Sequence, residues 1–471
     1  MKILKLAALI LMMAFSTSAI TFASPIPIRG VIEGFYGKPW TFSERADIIN
    51  FCRQNNLNAY IYAPKDDPYH RDKWREPYPA EKFNELKNLV EISKKNGVKF
   101  IFAVSPGLDL HYKGKKAEED FIFLMQKFEA MYQIGVRDFA IFFDDLKDEN
   151  GNHHEDGKAQ ARFLNRVQNE FQAKHRDVFP LITVPTEYFR LDMMKGNKVK
   201  SYTENLAENL DKKIIVLFTG DGVVCDGITQ ESLNEVNKIF NREMGIWWNY
   251  PVNDYPLTAN GNRNVKLALG PIEKLPAEKI QAIFFNPMEQ EELSKIALAT
   301  GAEYANSPAN YNPEKSWDKA ISEQFGDLAK DMKIFAEHSQ HMENSWAKVG
   351  PDDGRNFNTL AYLVLNGLKN NHSVDFAPLE KNIDEMERAA FNLLDKLPAE
   401  ILAECRPQLE QFKRIAQADR LALNCLESGK FDSRLKDLRE EIRKNESVAI
   451  LSEKSAVKFI DDVINFFENK K

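Results

Sequence analysis

The sequence predicts a (β/α)8 TIM-type barrel followed by an all-α helical bundle, and three observations carry that prediction. Eight short apolar runs recur roughly every 30 to 40 residues between Ile28 and Phe285, each followed by a longer amphipathic, charged stretch. The runs are apolar throughout instead of alternating, as in AIFF at 140–143 and IIVLF at 214–218, which is what strands buried on both faces require. Beyond residue 307 the apolar period becomes that of helices and stays so to the end.

Taken in order, residues 1–23 stand apart from the fold. Lys2 and Lys5 precede an apolar run from Leu6 to Phe15, and Thr21-Phe22-Ala23 offers a signal-peptidase site before Ser24, the pattern of a bacterial export signal. The run is about half of the roughly 20 residues that a membrane-spanning helix needs, and no later segment qualifies. The expectation is an exported protein, periplasmic or secreted, with no membrane attachment after cleavage. Strands are predicted at 28–33, 58–62, 98–104, 138–143, 180–184, 213–218, 244–248 and 281–285, within a barrel domain placed at 24–307. Eight β/α units in about 280 residues fit a closed barrel. The rival doubly wound sheet lacks support, because no GxGxxG or GxxxxGK[ST] follows any run.

Asn312 followed by Pro313 opens the second unit, placed at 308–471, as a helix start. Trp317, Ile321, Phe325, Leu328, Met332 and Phe335 fall on one helical face and read as core. Gly350-Pro351-Asp352-Asp353-Gly354, Leu397-Pro398 and Ser428-Gly429 punctuate what reads as about five helices with no strand. The charged run Arg434 to Lys444 reads as a solvated helix face.

With 43% hydrophobic and 28% charged residues, including 32 Phe, the chain can bury large cores and is not disordered. A net charge of −7 without a basic tail suits no phosphate backbone, so nucleic acid is not an expected partner. Cys52, Cys225, Cys405 and Cys425 form no CxxC element and read as buried thiols. Cys405 and Cys425 can pair only if the helical stretch between them folds back, since twenty residues of straight helix span about 30 Å. His153-His154 reads as an exposed loop pair. No frame from Asp145 to Gly157 supplies both the ligands and the glycine of a calcium loop, and neither metal nor organic cofactor is expected.

A barrel of this kind builds its site from the residues just after each strand. Those residues are Glu33-Gly34-Phe35-Tyr36-Gly37, Tyr62-Ala63-Pro64-Lys65-Asp66-Asp67, Ser105-Pro106-Gly107-Leu108-Asp109, Asp144-Asp145, Pro185-Thr186-Glu187-Tyr188, Thr219-Gly220, Trp247-Trp248-Asn249 with Asn253-Asp254, and Asn286-Pro287. A ring of carboxylates, amides, hydroxyls, one lysine and tryptophans suits a polyhydroxylated ring such as a sugar. Asp144 and Asp145 form the sharpest pair. Repulsion between adjacent carboxylates is expected to push their pKa values apart, so that one stays ionised while the other holds a proton for general acid catalysis. Glu33 and Asp67 are ambiguous, since they can equally brace the strand ends.

Seven segments resemble, in order, the catalytic barrel of glycoside hydrolase family 84, the O-GlcNAcase and bacterial β-N-acetylglucosaminidase family. They are EGFYGKPW (33–40), YAPKDD (62–67), SPGLD (105–109), FDD (143–145), PTEY (185–188), WWN with the following ND (247–254) and FNP (285–287). The helical region resembles the bundle that follows this barrel by pattern alone. No extra domain separates the export signal from the barrel, and nothing resembles the acetyltransferase-like domain of the animal enzymes.

The resemblance implies retaining, substrate-assisted hydrolysis of terminal β-linked N-acetylglucosamine on a glycan or glycoprotein. The substrate's 2-acetamido oxygen is then the nucleophile, and the intermediate an oxazoline. It implies that Asp144 accepts the acetamide N–H and that Asp145 is the general acid, then the general base. Tyr188 would hydrogen-bond the acetamide oxygen, and Trp247, with Val184, Thr219 and Val223, would wall the N-acyl group. Gly34, Lys65, Asn249, Asp254 and Asn286 would bind the hydroxyls or the acetamide. Two alternatives stay open: a hyaluronidase-type or other N-acetylhexosaminidase, and a carbohydrate-binding barrel without turnover. Oligomeric state is not legible.

Overall fold

The computed structural model describes residues 24–146, 157–255 and 261–469. Residues 1–23, where an export signal is expected, and His153-His154 lie outside these residues. Eight parallel strands close into a barrel: β1 (Ile28–Glu33), β2 (Ala59–Tyr62), β3 (Lys99–Val104), β4 (Asp138–Phe142), β5 (Ile182–Val184), β6 (Ile215–Phe218), β7 (Met244–Trp248) and β8 (Ile280–Phe285). Neighbours in sequence pair in space, and β8 returns to pair with β1 through Ile28 and Ala282. Each strand lies within two residues of its predicted run.

The continuous apolar character of the strands is explained by two cores. Alternate residues, among them Ile61, Ala103, Phe142, Val184, Leu217 and Phe284, fill the barrel interior. Their neighbours, among them Tyr60, Phe102, Phe139, Val216 and Phe285, pack outward against the helices. The outer layer consists of α1 (Phe42–Gln54), α2 (Ala80–Asn96), α3 (Gly114–Gln133), α4 (Gly157–Lys174), α5 (Ser201–Asn209), α6 (Gln230–Phe240) and α7 (Glu291–Asn306). Helix α1 starts with a reciprocal cap, in which the Thr41 hydroxyl accepts from the Glu44 N–H and the Glu44 carboxylate accepts from the Thr41 N–H.

One expected unit is incomplete. Among the described residues, the connection between β7 and β8 contains no helix. The second domain takes its place against the barrel. Leu269 N–H donates to Ser339 O (2.9 Å), Ile450 N–H to Val265 O (2.9 Å), and Trp317 Nε1 to Leu269 O (2.7 Å). Backbone groups that a helix would have satisfied internally are thus paired across the domain boundary, and one apolar core runs through both domains.

The second domain holds seven helices among the described residues, not about five: α8 (Pro313–Phe325), α9 (Ala329–Glu337), α10 (Arg355–Lys369), α11 (Ala377–Lys396), α12 (Ala399–Ser428), α13 (Arg434–Asn445) and α14 (Ala456–Glu468). The stripe from Trp317 to Phe335 spans two helices, since Gly326 (φ 49°) interrupts it with a 3-10 turn. A short antiparallel hairpin, Met342–Glu343 with Lys348–Val349, corrects the expectation of no strand. Cys405 and Cys425 lie on one unbroken helix, α12, which keeps them apart, and all four cysteines are free. In α13 only Leu435 and Ile442 are buried, leaving the charged side chains of that run outside the core. Among the described residues, no helix is long and apolar enough to cross a membrane.

Candidate active site

A cavity of about 500 Å³ opens at the C-terminal ends of the strands. All twelve residues singled out in the sequence line it: Gly34, Lys65, Asp144, Asp145, Val184, Tyr188, Thr219, Val223, Trp247, Asn249, Asp254 and Asn286. Its floor is the top of the barrel interior, where Val184, Tyr188 and Trp247 belong to the inner apolar core. Gly34 permits this closure, because a Cβ there would stand 2.3 Å from Trp247 Cζ2.

Asp144 and Asp145 follow β4 directly but meet different surroundings. Asp144 is buried and paired through Oδ2 with the buried Lys65 ammonium, while its Oδ1 has no hydrogen-bond partner. Burial would push the Lys65 ammonium down, but Asp144, with Tyr36 and Asp145, reverses this and keeps it charged. Asp145 turns through the left-handed region (φ 57°), a conformation that aspartate tolerates better than most residues. It projects into the mouth, where it accepts from Tyr36 (2.7 Å) and Tyr188 (2.9 Å). The enclosing protein pushes its carboxyl up, but Lys65, the two tyrosine hydroxyls and Arg71 together hold it below the ordinary carboxylate range.

This corrects the expectation drawn from repulsion alone. A cation pairs with one carboxylate and two hydroxyls donate to the other, so Asp145, the expected acid, is held below the ordinary carboxylate range in this arrangement. The two tyrosines remain donors. Burial, with Asp145 adding, pushes the Tyr188 hydroxyl well above its usual value, and burial raises Tyr36 to about 12.

The opposite wall is an amide relay. Trp247 Nε1 donates to Asn249 Oδ1 (2.8 Å), which also accepts from Asn286 Nδ2 (3.0 Å), and Asn286 Oδ1 accepts from the Gly34 N–H (3.2 Å). Asn249 Nδ2 donates to Val223 O (2.8 Å), which draws the loop after β6 into the wall. Asp254 accepts from the Tyr36 N–H (2.6 Å), and its carboxyl is raised, chiefly by burial. Glu33 and Asp67 do not line the cavity. Glu33 is held by Arg45 (both contacts 2.8 Å) and Tyr60, and Asp67 by Tyr62 and Tyr78, so both brace the strand ends from below.

Six further residues line the cavity: Tyr36, Val224, Val252, Tyr255, Arg263 and Trp346. Tyr36 already stood among the residues named after β1, while Val224, Val252 and Tyr255 adjoin residues singled out after their strands, and that adjacency was the available signal. Arg263 and Trp346 carry none. Arg263 comes from the helix-free connection, with its guanidinium 5.5 Å from the Tyr36 ring centre, and Trp346 comes from the second domain's hairpin.

The family model described as beta-N-acetylglucosaminidase matches residues 29–337. The chain belongs to the β-N-acetylglucosaminidase family. A second model, described as hyaluronidase post-catalytic domain-like, matches residues 364–460 of this family member. The β-N-acetylglucosaminidase-family chain is 33% identical over 287 residues to Protein O-GlcNAcase of Rattus norvegicus and of Mus musculus. That match covers 60% of this chain but only 30% of each relative. Among solved structures, the one named CpGH84B has a TM-score of 0.85 at 36% identity, over 93% of this chain and 77% of its own. An O-GlcNAc hydrolase variant from Thermobaculum terrenum has a TM-score of 0.78 at 30% identity, over 93% of both chains.

Proposed function

We propose that this protein is a retaining exo-β-N-acetylglucosaminidase that removes terminal β-linked GlcNAc by substrate-assisted catalysis. The observation that carries the reading is the unequal pair after β4: Asp144, charge-paired with Lys65 and with one buried oxygen unpartnered, beside Asp145, which faces the cavity mouth. A buried carboxylate oxygen without a partner is costly, and an acetamide N–H would satisfy it. Asp144 then fixes the acetamide so that its carbonyl oxygen attacks C1. Holding an internal nucleophile in place is worth an effective molarity of about 10⁵ to 10⁸ M.

As the C1–O bond to the leaving group breaks, Asp145 gives that oxygen its proton. The resulting oxazolinium charge is balanced by Asp144. Water then attacks C1, Asp145 takes the proton, and the second inversion restores the β-configuration. The arrangement described above matches the base of this second step. In the first, a sugar that draws the Tyr188 hydroxyl to its acetamide oxygen removes one donor from Asp145 and raises its proton affinity. Trp247, Val184, Thr219 and Val223 enclose the N-acyl group, while Gly34, Lys65, Asn249, Asp254 and Asn286 hold the hydroxyls or the acetamide.

The relatives' names point to O-GlcNAc on protein as the substrate class. The first 23 residues point to export to the periplasm or medium of a bacterium. The test compares 4-nitrophenyl β-N-acetylglucosaminide with the matching β-glucoside for wild type, Asp144→Ala and Asp145→Ala. Turnover of the acetamide substrate alone, reduced in both variants, is expected. Equal turnover of both glycosides would sink the substrate-assisted mechanism.

A further inference from the structure

Arg71 does not line the cavity, yet it is tied to the carboxylate at the mouth. The loop after β2 that carries it is held from both sides: the Ser105 N–H donates to His70 O (2.9 Å), His70 Nδ1 reaches Ala103 O (2.9 Å), and Lys127 Nζ donates to Tyr69 O (2.6 Å). Within the turn, the Arg71 N–H donates to Pro68 O (3.2 Å) and its carbonyl accepts from the Trp74 N–H (3.3 Å). From this fixed backbone the half-buried guanidinium donates through Nη1 to the Tyr36 hydroxyl oxygen (2.7 Å), its one side-chain hydrogen bond among the described residues.

The direction of this contact decides the next one. A guanidinium only donates, so the Tyr36 oxygen accepts, and the single proton of the hydroxyl goes to Asp145 Oδ2 (2.7 Å). The second donor to Asp145 is not pinned in this way. Among the described residues nothing donates to the Tyr188 hydroxyl, which can turn to a ligand. Lys65, Arg71 and Arg263 stand 5.7, 5.6 and 5.5 Å from the centre of the Tyr36 ring. With Asp144, Asp254 and Tyr188 they make up the charged and titratable groups that face Tyr36 and Asp145 among the described residues.

We infer that Arg71 is a positioning residue for the general acid: it occupies the Tyr36 hydroxyl oxygen, so that this hydroxyl stays a one-way donor to Asp145 and the proton that Asp145 carries is left for the leaving group. The inference rests on the proposed glycosidase activity and deepens it by naming what orients its acid. A phenol able to accept would tie up the Asp145 proton in a hydrogen bond of its own. The charge of Arg71, passed on through a polarised hydroxyl, also favours the ionised carboxylate.

The test follows kcat/KM against pH for wild type, Arg71→Met, Tyr36→Phe and the double variant. Two substrates are compared: phenyl β-N-acetylglucosaminide, whose leaving oxygen needs a proton, and the 2,4-dinitrophenyl glycoside, whose leaving group departs without one. In Arg71→Met the alkaline limb for the phenyl substrate should move up by about half to one pH unit, because losing the charge-assisted contact raises the proton affinity of Asp145. The ratio of variant to wild type then climbs about three- to tenfold across the limb. For the dinitrophenyl substrate that ratio should stay flat with pH, since no proton is asked of Asp145. In the Tyr36→Phe background the same replacement should move the limb less than half as far, because Arg71 acts through the hydroxyl. Arg71→Gln, also uncharged, is the second variant should Arg71→Met not fold, and it should move the limb the same way.

A limb that stays still or moves down in a folded variant, an equal movement in the Tyr36→Phe background, or the same pH-dependent gain with the dinitrophenyl substrate would overturn the inference while leaving the functional reading intact. Wild-type protein that turns over neither glycoside would overturn the functional reading and this inference with it.

Discussion

Asp419 offers a test of the physical reasoning away from the site. It lies on the buried face of α12 among Ile415, Ala416, Ala418, Ala422 and Leu423, is fully buried, and neither carboxylate oxygen has a hydrogen-bond partner. Its neighbour Arg420 pairs instead with Asp384 and Glu387. Burial, with Glu387 adding, drives the Asp419 carboxyl well above its usual range, so the folded protein holds a proton there that the unfolded chain releases.

The sign follows directly. With more protons bound in the native state, stability falls as pH rises from the ordinary carboxylate value, by about 1.4 kcal/mol per pH unit while the native carboxyl stays neutral. Asp419→Asn keeps the shape and removes the titration. A buried amide brings its own cost of about 1 to 3 kcal/mol, but that offset does not depend on pH. The quantity to measure is therefore the slope. Urea unfolding of both proteins at pH 5, 6 and 7 should show the variant gaining on wild type as pH rises, with a slope of up to about 1.4 kcal/mol per pH unit. Groups common to both chains cancel in the difference. Parallel stability curves would refute the claim that Asp419 is held neutral.

Three other perturbations follow from the geometry. Gly34→Ala puts a Cβ within 2.3 Å of Trp247, so the ring must shift and kcat/KM for the aryl glycoside should fall about 5- to 150-fold, for an overpacking cost of about 1 to 3 kcal/mol. Tyr36→Phe removes a donor to ionised Asp145, which raises its proton affinity. The alkaline limb of kcat/KM should therefore move up by about half to one pH unit, and a limb that moves down would contradict the proposed role of the hydroxyl. Arg45→Met strands the fully buried Glu33 carboxylate and should cost about 3 to 5 kcal/mol in a thermal or urea unfolding assay.

The barrel strands were legible because burial on both faces writes an apolar run into the sequence, and the polar residues at their ends followed from where such barrels place their sites. The twelve cavity residues all sit on or just after a strand, or in the loop it leads into. Arg263 lies much farther along the connection after β7 and Trp346 lies outside the barrel altogether, and no local pattern reports that a hairpin in a second domain folds back over a barrel mouth. The helix count failed for a related reason: the apolar period runs through Gly326, and only its positive φ shows the break. The state of Asp145 was illegible because it depends on Tyr36, Arg71 and Lys65, each far from it in sequence.

The connection between β7 and β8, which holds no helix among the described residues, makes the barrel's outer wall a joint product of two stretches of chain far apart in sequence. Leu267, Leu269 and Ile272 on that connection are buried, and the Leu269 backbone is paired with Ser339 and Trp317 of the second domain. A gene fragment ending at residue 307 would leave this strip bare, and its product should aggregate or refold poorly. A barrel transplanted into another chain should therefore fold well only when its helical companion accompanies it.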